Sequence, residues 1–194
     1  MITTSTSKQA QREEALRYRK ALSAHQRKAY SQTILSLLQR YLENQDPQTE
    51  CLLTYHALPS EVDANALLRQ SGLHIYAPVT HHHEHMEWHR VSPSTQWGTG
   101  FFGILEPNGG DLWDAQAGIS TLICPLAAFD RKGSRLGMGK GCFDYWLAQH
   151  RQCIRQIVGL AFSCQEVASI PVEGHDMPMD YIITEKEIIE CQSN

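Results

Sequence analysis

Apolar residues alternate along this chain between two spacings. Tyr30, Ile34, Leu37, Leu38, Tyr41 and Leu42 recur at helical spacing and predict an amphipathic helix. Ser23 and Gln26 form a capping-box pair at its start. Residues 6–22 predict an earlier helix, with Thr6 and Gln9 as its capping pair and Arg12, Leu16 and Arg19 on one face. Short apolar runs follow at 51–55, 73–77, 86–91, 121–124, 154–162 and 181–184. Each is bounded by turn residues and predicts a strand. Glu61-Val62-Asp63 opens a predicted helix through Leu67, Leu68 and Arg69, closed by Gly72. The stretch 51–77 therefore reads as β-α-β, with a parallel pair and a right-handed crossover. Phe143–His150 and Glu185–Glu190 predict two further helices, while 92–118 is rich in Gly, Pro and Trp with little periodicity. Nothing repeats and no linker is evident. The expectation for residues 1–194 is a single three-layer α/β/α domain with a mostly parallel, Rossmann-like sheet.

Composition narrows the function classes. The chain has 194 residues, 42% hydrophobic and 20% charged, enough for one domain with a substantial core. A net charge of −4 excludes a general nucleic-acid binder, so basic character must be local, and it gathers at residues 131–140. No apolar run reaches membrane-spanning length. The N-terminal stretch has no apolar signal core and carries Glu13 and Glu14, so a cytoplasmic protein with no membrane partner is expected. None of the six cysteines sits in a CxxC pair, and they read as reduced and mostly buried. His81, His82, His83, Glu84 and His85 offer metal-binding groups, but neighbours in an extended segment point to opposite faces. That run reads as a solvated loop.

The chemistry concentrates in Cys124–Leu147. Here Gly133, Gly137, Gly139 and Gly141 alternate with Arg131, Lys132, Arg135 and Lys140, between Asp130 and Asp144. Backbone N–H groups freed by glycine, fixed cations and a helix start together suit an anion, naturally a phosphate. The flanking aspartates could hold a divalent metal on it. The loop is not a Walker motif, because position 134 is serine and position 141 is glycine. Gly137-x-Gly139-x-Gly141 also has the wrong spacing for a dinucleotide fingerprint. On pattern alone Lys8 reads as a solvated lysine, His56 as a loop polar residue and Glu61 as helix N-terminal electrostatics. The aromatics of the segment Phe101–Pro107 fit either a cleft wall or a cap on the core.

PLAAFDRKG followed by RLGMGKGCFD resembles the 5-formyltetrahydrofolate cyclo-ligases, also called methenyltetrahydrofolate synthetases. The resemblance extends to the KQAQR opening, the Glu61–Asp63 turn, the FGILEP segment, and Pro171 followed by His175, Asp176, Met177 and Asp180. It implies that ATP and 5-formyltetrahydrofolate give 5,10-methenyltetrahydrofolate, ADP and phosphate, with Mg2+ as cofactor. Lys8, Gln9, Ala10, Gln11 and Arg12 match the family's N-terminal nucleotide-binding segment, which reverses the bland reading of Lys8. Arg135, Leu136, Gly137, Met138, Gly139, Lys140, Gly141, Cys142 and Phe143 match the segment that wraps the ATP phosphates. Arg135 and Lys140 supply its catalytic charges. His56, Glu61 and residues 138–142 match the folate contacts, with Glu61 suited to the amino-pyrimidine edge of the pterin. Asp144 and Asp176 match the magnesium ligands, leaving Asp130 to shape the turn.

One departure is local. The family usually has two tyrosines before the metal aspartate, where this chain has Cys142 and Phe143. If the first tyrosine touches substrate, its replacement weakens binding by roughly 1–3 kcal/mol. Two other readings fit the same fold: a non-catalytic nucleotide-binding module, and an ATP-dependent ligase or kinase acting on another formamide. A monomer or weak homodimer is expected.

Overall fold

Ser7 starts the chain's first helix by accepting the Ala10 N–H on its side-chain oxygen at 3.2 Å. The computed structural model describes residues 7–174 and 176–191, so Thr6 and His175 lie outside it. Helix α1 (Lys8–Ala21) is followed by α2 (Ala24–Glu43), which opens with the complete Ser23–Gln26 capping box. Next come β1 (Cys51–Leu53), β2 (His74–His82) and β3 (His85–Arg90). Strands β4 (Trp97–Thr99) and β5 (Leu105–Pro107) form an antiparallel ribbon ahead of β6 (Ser120–Pro125). A second ribbon, β7 (Ala128–Phe129) and β8 (Arg135–Leu136), precedes α3 (Cys142–His150). The chain closes with β9 (Gln156–Leu160), β10 (Tyr181–Ile183) and β11 (Ile188–Glu190).

The main sheet runs in the order β11-β10-β9-β6-β1-β2-β3. Its five inner strands are parallel and both edge strands antiparallel. Both faces are buried, which is why the inner strands read as apolar runs. Cys51, Leu53, Leu122, Cys124 and Ile157 join one core with Trp146 and Leu147 of α3. Leu52, Ile123 and Val158 join the opposite core with Ile34, Leu38 and Leu42 of α2. Leu122 and Ile123 have no exposed surface, and each contributes about 1.5–3 kcal/mol by burial. The three-layer α/β arrangement is therefore built by period-2 alternation between two helical layers.

Two predicted helices are replaced by other structure. Over 61–69 only Leu67–Arg69 coils, as a single 3₁₀ turn. Glu61 turns its carboxylate back to the Leu58 N–H, and the Asp63 carboxylate takes the Asn65 N–H. These local side-chain bonds compete with helix formation. Tertiary packing then places Leu67 and Leu68 against β2, in the core shared with α2, without a helix. At the other end, Ile188–Glu190 pairs antiparallel with β10 rather than forming a helix. Thr184 organises the turn, accepting the Lys186 and Glu187 N–H groups on its hydroxyl, and only Ile189 of β11 is buried. Six residues are too few for a stable helix, and the isoleucine pair favours a strand.

The histidine run is also ordered differently from the expected loop. It forms the end of the β2–β3 hairpin, with only His83 and Glu84 in the connection.

Candidate active site

Sheet order fixes where a ligand can enter. From β1 the chain moves to β2 on one side, and from β6 it moves to β9 on the other. The crevice beyond the carboxyl ends of β1 and β6 is thus a topological switch point, where open α/β sheets bind ligands. A cleft of about 350 Å³ occupies that place. Tyr55 and His56, just after β1, line it together with Pro125, Leu126 and Ala127 from the end of β6. Phe102, Ile104 and Glu106, from the segment around β5, form another wall. Phe102 is cleft-lining, whereas Phe101 is exposed outside the cleft, which decides the role of the first but not the second.

Glu61 lines the cleft and is 8% exposed. One carboxylate oxygen accepts the Leu58 N–H at 2.9 Å, and the other lies 3.9 Å from Arg19. Burial pushes the Glu61 carboxyl above its ordinary range, although the Leu58 bond and the Arg19 charge oppose the shift. Burial likewise lowers the pKa of Arg19 against the pull of Glu61. Arg19 donates to the Leu126 carbonyl at 3.1 Å and to Ser60 Oγ at 3.0 Å. It therefore ties α1 to both walls of the cleft. Sequence reasoning placed Arg19 on the Arg12 face of the helix but gave it no role.

The glycine loop forms the opposite wall. Asp130 is buried and accepts the N–H groups of Lys132 at 3.0 Å, Ser134 at 3.1 Å and Ile170 at 2.8 Å. It shapes the turn, the role left to it once the resemblance matched Asp144 and Asp176 to the metal. Gly139 and Gly141 adopt φ of 85° and 72°, and Gly141 caps α3. Lys140 Nζ lies 5.6 Å from the centre of the Phe102 ring and lines the cleft. Asp144 sits in the first turn of α3, and its Oδ1 takes a 2.7 Å bond from Arg135. Arg135 also donates to the Met177 carbonyl, and its side chain is 5% exposed. The Arg135 charge is thus directed at Asp144 and the C-terminal segment. Cys142 lines the cleft, and burial raises its thiol pKa, which keeps it neutral. Phe143 packs edge-on against Trp88 at 6.0 Å. Met138 is half exposed, whereas Leu136 is buried beneath the loop beside Ala15.

The N-terminal segment docks beside this loop. Lys8 bonds Asp176 at 2.6 Å and lies 3.3 Å from Glu173. Burial works against its charge, but the bond and charge of Asp176 outweigh it, so the Lys8 pKa is raised. Arg12 donates to the Gly137 carbonyl at 2.8 Å. Gln11 reaches the Ser169 carbonyl at 2.7 Å. Gln9 points to Glu13, and Ala10 contributes its N–H to the helix cap. The two expected magnesium ligands lie on neighbouring cavities. Asp144 lines the switch-point cleft and Asp176 an adjoining cavity of about 430 Å³, with Arg135 lining both. His56 lines the switch-point cleft and meets Trp97 edge-on at 5.5 Å.

A family model described as the 5-formyltetrahydrofolate cyclo-ligase family matches residues 4–185. The chain belongs to that family. It is 31% identical over 167 residues to a 5-formyltetrahydrofolate cyclo-ligase of Haemophilus influenzae, covering 82% of this chain and 86% of the relative. It is 27% identical over 202 residues to the Mus musculus protein of the same name, covering 95% and 96%. Among solved structures, a 5,10-methenyltetrahydrofolate synthetase from Aquifex aeolicus superposes with a TM-score of 0.79 at 28% identity, covering 96% and 94%. One from Mycoplasma pneumoniae shares the fold with a TM-score of 0.73 at 21% identity, covering 93% and 99%. Within this cyclo-ligase family member, Glu61 from the β1 side and the glycine loop from the β6 side meet beyond the carboxyl ends of the central strands, with α1 across them. Among the described residues no helix is long and apolar enough to cross a membrane.

Proposed function

We propose that the protein cyclises 5-formyltetrahydrofolate to 5,10-methenyltetrahydrofolate, using ATP with Mg2+ and releasing ADP and phosphate. The observation that carries this reading is a single cleft with a buried carboxylate, Glu61, and a glycine loop bearing Lys140 and Asp144. A pterin needs an acceptor for its amino-pyrimidine edge, and a carboxylate meets two donors at once. A triphosphate needs cations and backbone N–H groups, which the loop supplies.

In this reading the formyl oxygen attacks the γ-phosphorus of ATP, and the bond from that phosphorus to the ADP oxygen breaks. N10 then attacks the iminium carbon, and phosphate leaves with the former formyl oxygen. The protein acts by positioning and charge rather than as a nucleophile. Glu61 orients the pterin. The apolar side chains of Leu58, Phe102, Ile104 and Leu126 keep water from the activated carbon. Lys140 lies over the transferring oxygens, and Arg135 positions Asp144. Lys8, Arg12 and residues 135–143 hold the nucleotide. Asp144 and Asp176 are oxygen donors of the kind Mg2+ accepts, and both neighbour the loop. When bound, Mg2+ neutralises phosphate charge as it shifts during transfer.

The test is direct. Purified protein mixed with ATP, Mg2+ and 5-formyltetrahydrofolate should develop the near-UV absorbance of methenyltetrahydrofolate. Folded, ATP-binding protein that gives no product overturns the proposal. Lys140→Ala and Asp144→Asn should each lower kcat by about 10²–10³-fold while circular dichroism stays unchanged. Near-normal rates in both would remove the loop from the chemistry.

A further inference from the structure

The histidine-rich hairpin gathers its side chains where regular alternation would separate them. Strand pairing matches Thr80 with Met86 but His82 with His85, so β2 carries one extra residue at His81. Such a bulge re-aims side chains. As a result both His81 and His82 flank His85, with ring centres 4.7 Å and 5.6 Å away. On β3, His85, Glu87 and His89 are spaced two apart and share a face.

Glu87 is the centre of this group. His81 Nε2 is 3.0 Å from Glu87 Oε2, and His85 Nε2 is 3.4 Å from Oε1. The ligand atoms of His81, His85 and Glu87 all lie within 4.8 Å of one another. Tetrahedral coordination with bonds of about 2.0–2.1 Å needs donor atoms roughly 3.3 Å apart, so small side-chain rotations close the site. His89 adds an independent sign. Both of its ring nitrogens are buried without a hydrogen-bond partner among the described residues, and its Nε2 stops 3.6 Å from Glu87 Oε2. A buried imidazole with neither nitrogen used is uncommon. It is accounted for if Glu87, drawn onto an ion, is oriented from behind by His89.

We propose that His81, His85 and Glu87 bind a zinc-class transition-metal ion, with His89 as the positioning residue for Glu87 and the fourth coordination place open to water. Two imidazoles and a carboxylate suit Zn2+, Ni2+ or Cu2+ rather than Mg2+. The site stands outside the cleft and does not depend on the proposed reaction, but it borders the cleft. Thr80 and Met86, paired across the same hairpin, line the cleft wall, and the Thr80 N–H bonds Glu106 at 3.2 Å. A metal here clamps the turn end of the hairpin that forms this wall.

Calorimetric titration of the full, tag-free chain with Zn2+ tests the proposal, with excess Mg2+ present and far-UV circular dichroism confirming the fold of each variant. One equivalent should bind with micromolar or tighter affinity. His85→Ala and Glu87→Gln should each weaken it by at least about 10-fold, and His89→Ala by about 10–100-fold. His83→Ala, in the connecting turn outside the cluster, should leave it unchanged. Titration with Co2+ should give an intense visible ligand-field band that Glu87→Gln abolishes. No saturable binding, binding indifferent to His85→Ala and Glu87→Gln, or equal loss with His83→Ala would each reduce the hairpin to an adventitious histidine run and overturn the site.

Discussion

Glu61 and Arg19 form a buried pair in which each partner is worse off for its burial. The folded protein holds a proton on Glu61 more tightly than the unfolded chain does, because burial raises that carboxyl's pKa. In the window just above the ordinary carboxylate range, its contribution to stability therefore falls as pH rises. Pterin recognition needs the opposite state, the ionised acceptor. The Leu58 N–H and, after it, the Arg19 charge 3.9 Å away keep that state accessible, while Arg19 also holds Leu126 and Ser60. Arg19→Met should push the Glu61 pKa further up, moving the acid limb of kcat/KM for the folate to higher pH. KM for the folate should rise at neutral pH while KM for ATP is unchanged. A pH–rate profile with both substrates varied checks this, and an unmoved acid limb would show that Arg19 serves only packing. Lys8 behaves in the reverse sense. Its raised pKa favours the folded state below the ordinary lysine value, and this contribution is lost as pH rises through the folded value. Its charge is thus constant across the working range. Lys8→Gln should raise KM for ATP by about 10-fold, one charge-assisted contact, and leave KM for the folate alone.

Between residues and fold, the glycine loop depends on its anchors. Asp130 satisfies three backbone N–H groups from within the core, and Gly133 packs where an added Cβ would lie 2.5 Å from the Met179 carbonyl. Asp130→Ala should cost about 3 kcal/mol, read as a shift in the denaturant midpoint with an unchanged slope. At the far end of the loop, Cys142 and Phe143 both line the cleft, Phe143 also packing edge-on against Trp88. Cys142→Tyr, restoring the family's usual residue, should lower KM for the folate by about 5–150-fold, equivalent to roughly 1–3 kcal/mol. A KM unchanged by that substitution would mean the position does not face substrate. The elements themselves were unevenly legible. The inner strands announced themselves because both faces are buried, so Leu52-Leu53 and Leu122-Ile123 had to be apolar. The Ser23 capping box was readable because its two bonds are local. Residues 61–69 were not, because Glu61 and Asp63 turn back on nearby N–H groups and Leu67 and Leu68 pack on β2 in the shared core. Nor was the histidine hairpin, since one inserted residue on β2 cancels the alternation from which its side-chain directions were inferred.

Across the molecule, α1 connects parts of the chain that are distant in sequence. Its inward stripe runs from Lys8, bonded to Asp176, through Arg12, bonded to Gly137, to Arg19 beside Glu61. Ala15, between them, packs fully buried with Ala128, Leu136, Val167 and Ile170. The family resemblance located the N-terminal part of this stripe, Lys8 and Arg12, but the ties to Gly137, just after β8, and to Glu61, after β1, join distant parts of the chain and could not be read from spacing. One helix thus contacts the C-terminal segment, the glycine loop and the Glu61 end of the cleft. Nucleotide bound at Lys8, Arg12 and the loop should stiffen all three together, because the helix cannot move at one contact without disturbing the others. Hydrogen exchange measures this. ATP with Mg2+ should slow exchange jointly in residues 8–21, 135–144 and 176–179. 5-Formyltetrahydrofolate alone should protect mainly 56–61 and 138–142. Arg12→Ala, which breaks the central tie, should leave ATP able to protect the loop while abolishing the protection of residues 8–21. Protection confined to the loop in the unmodified protein would mean that α1 is a passive cover rather than part of the nucleotide site.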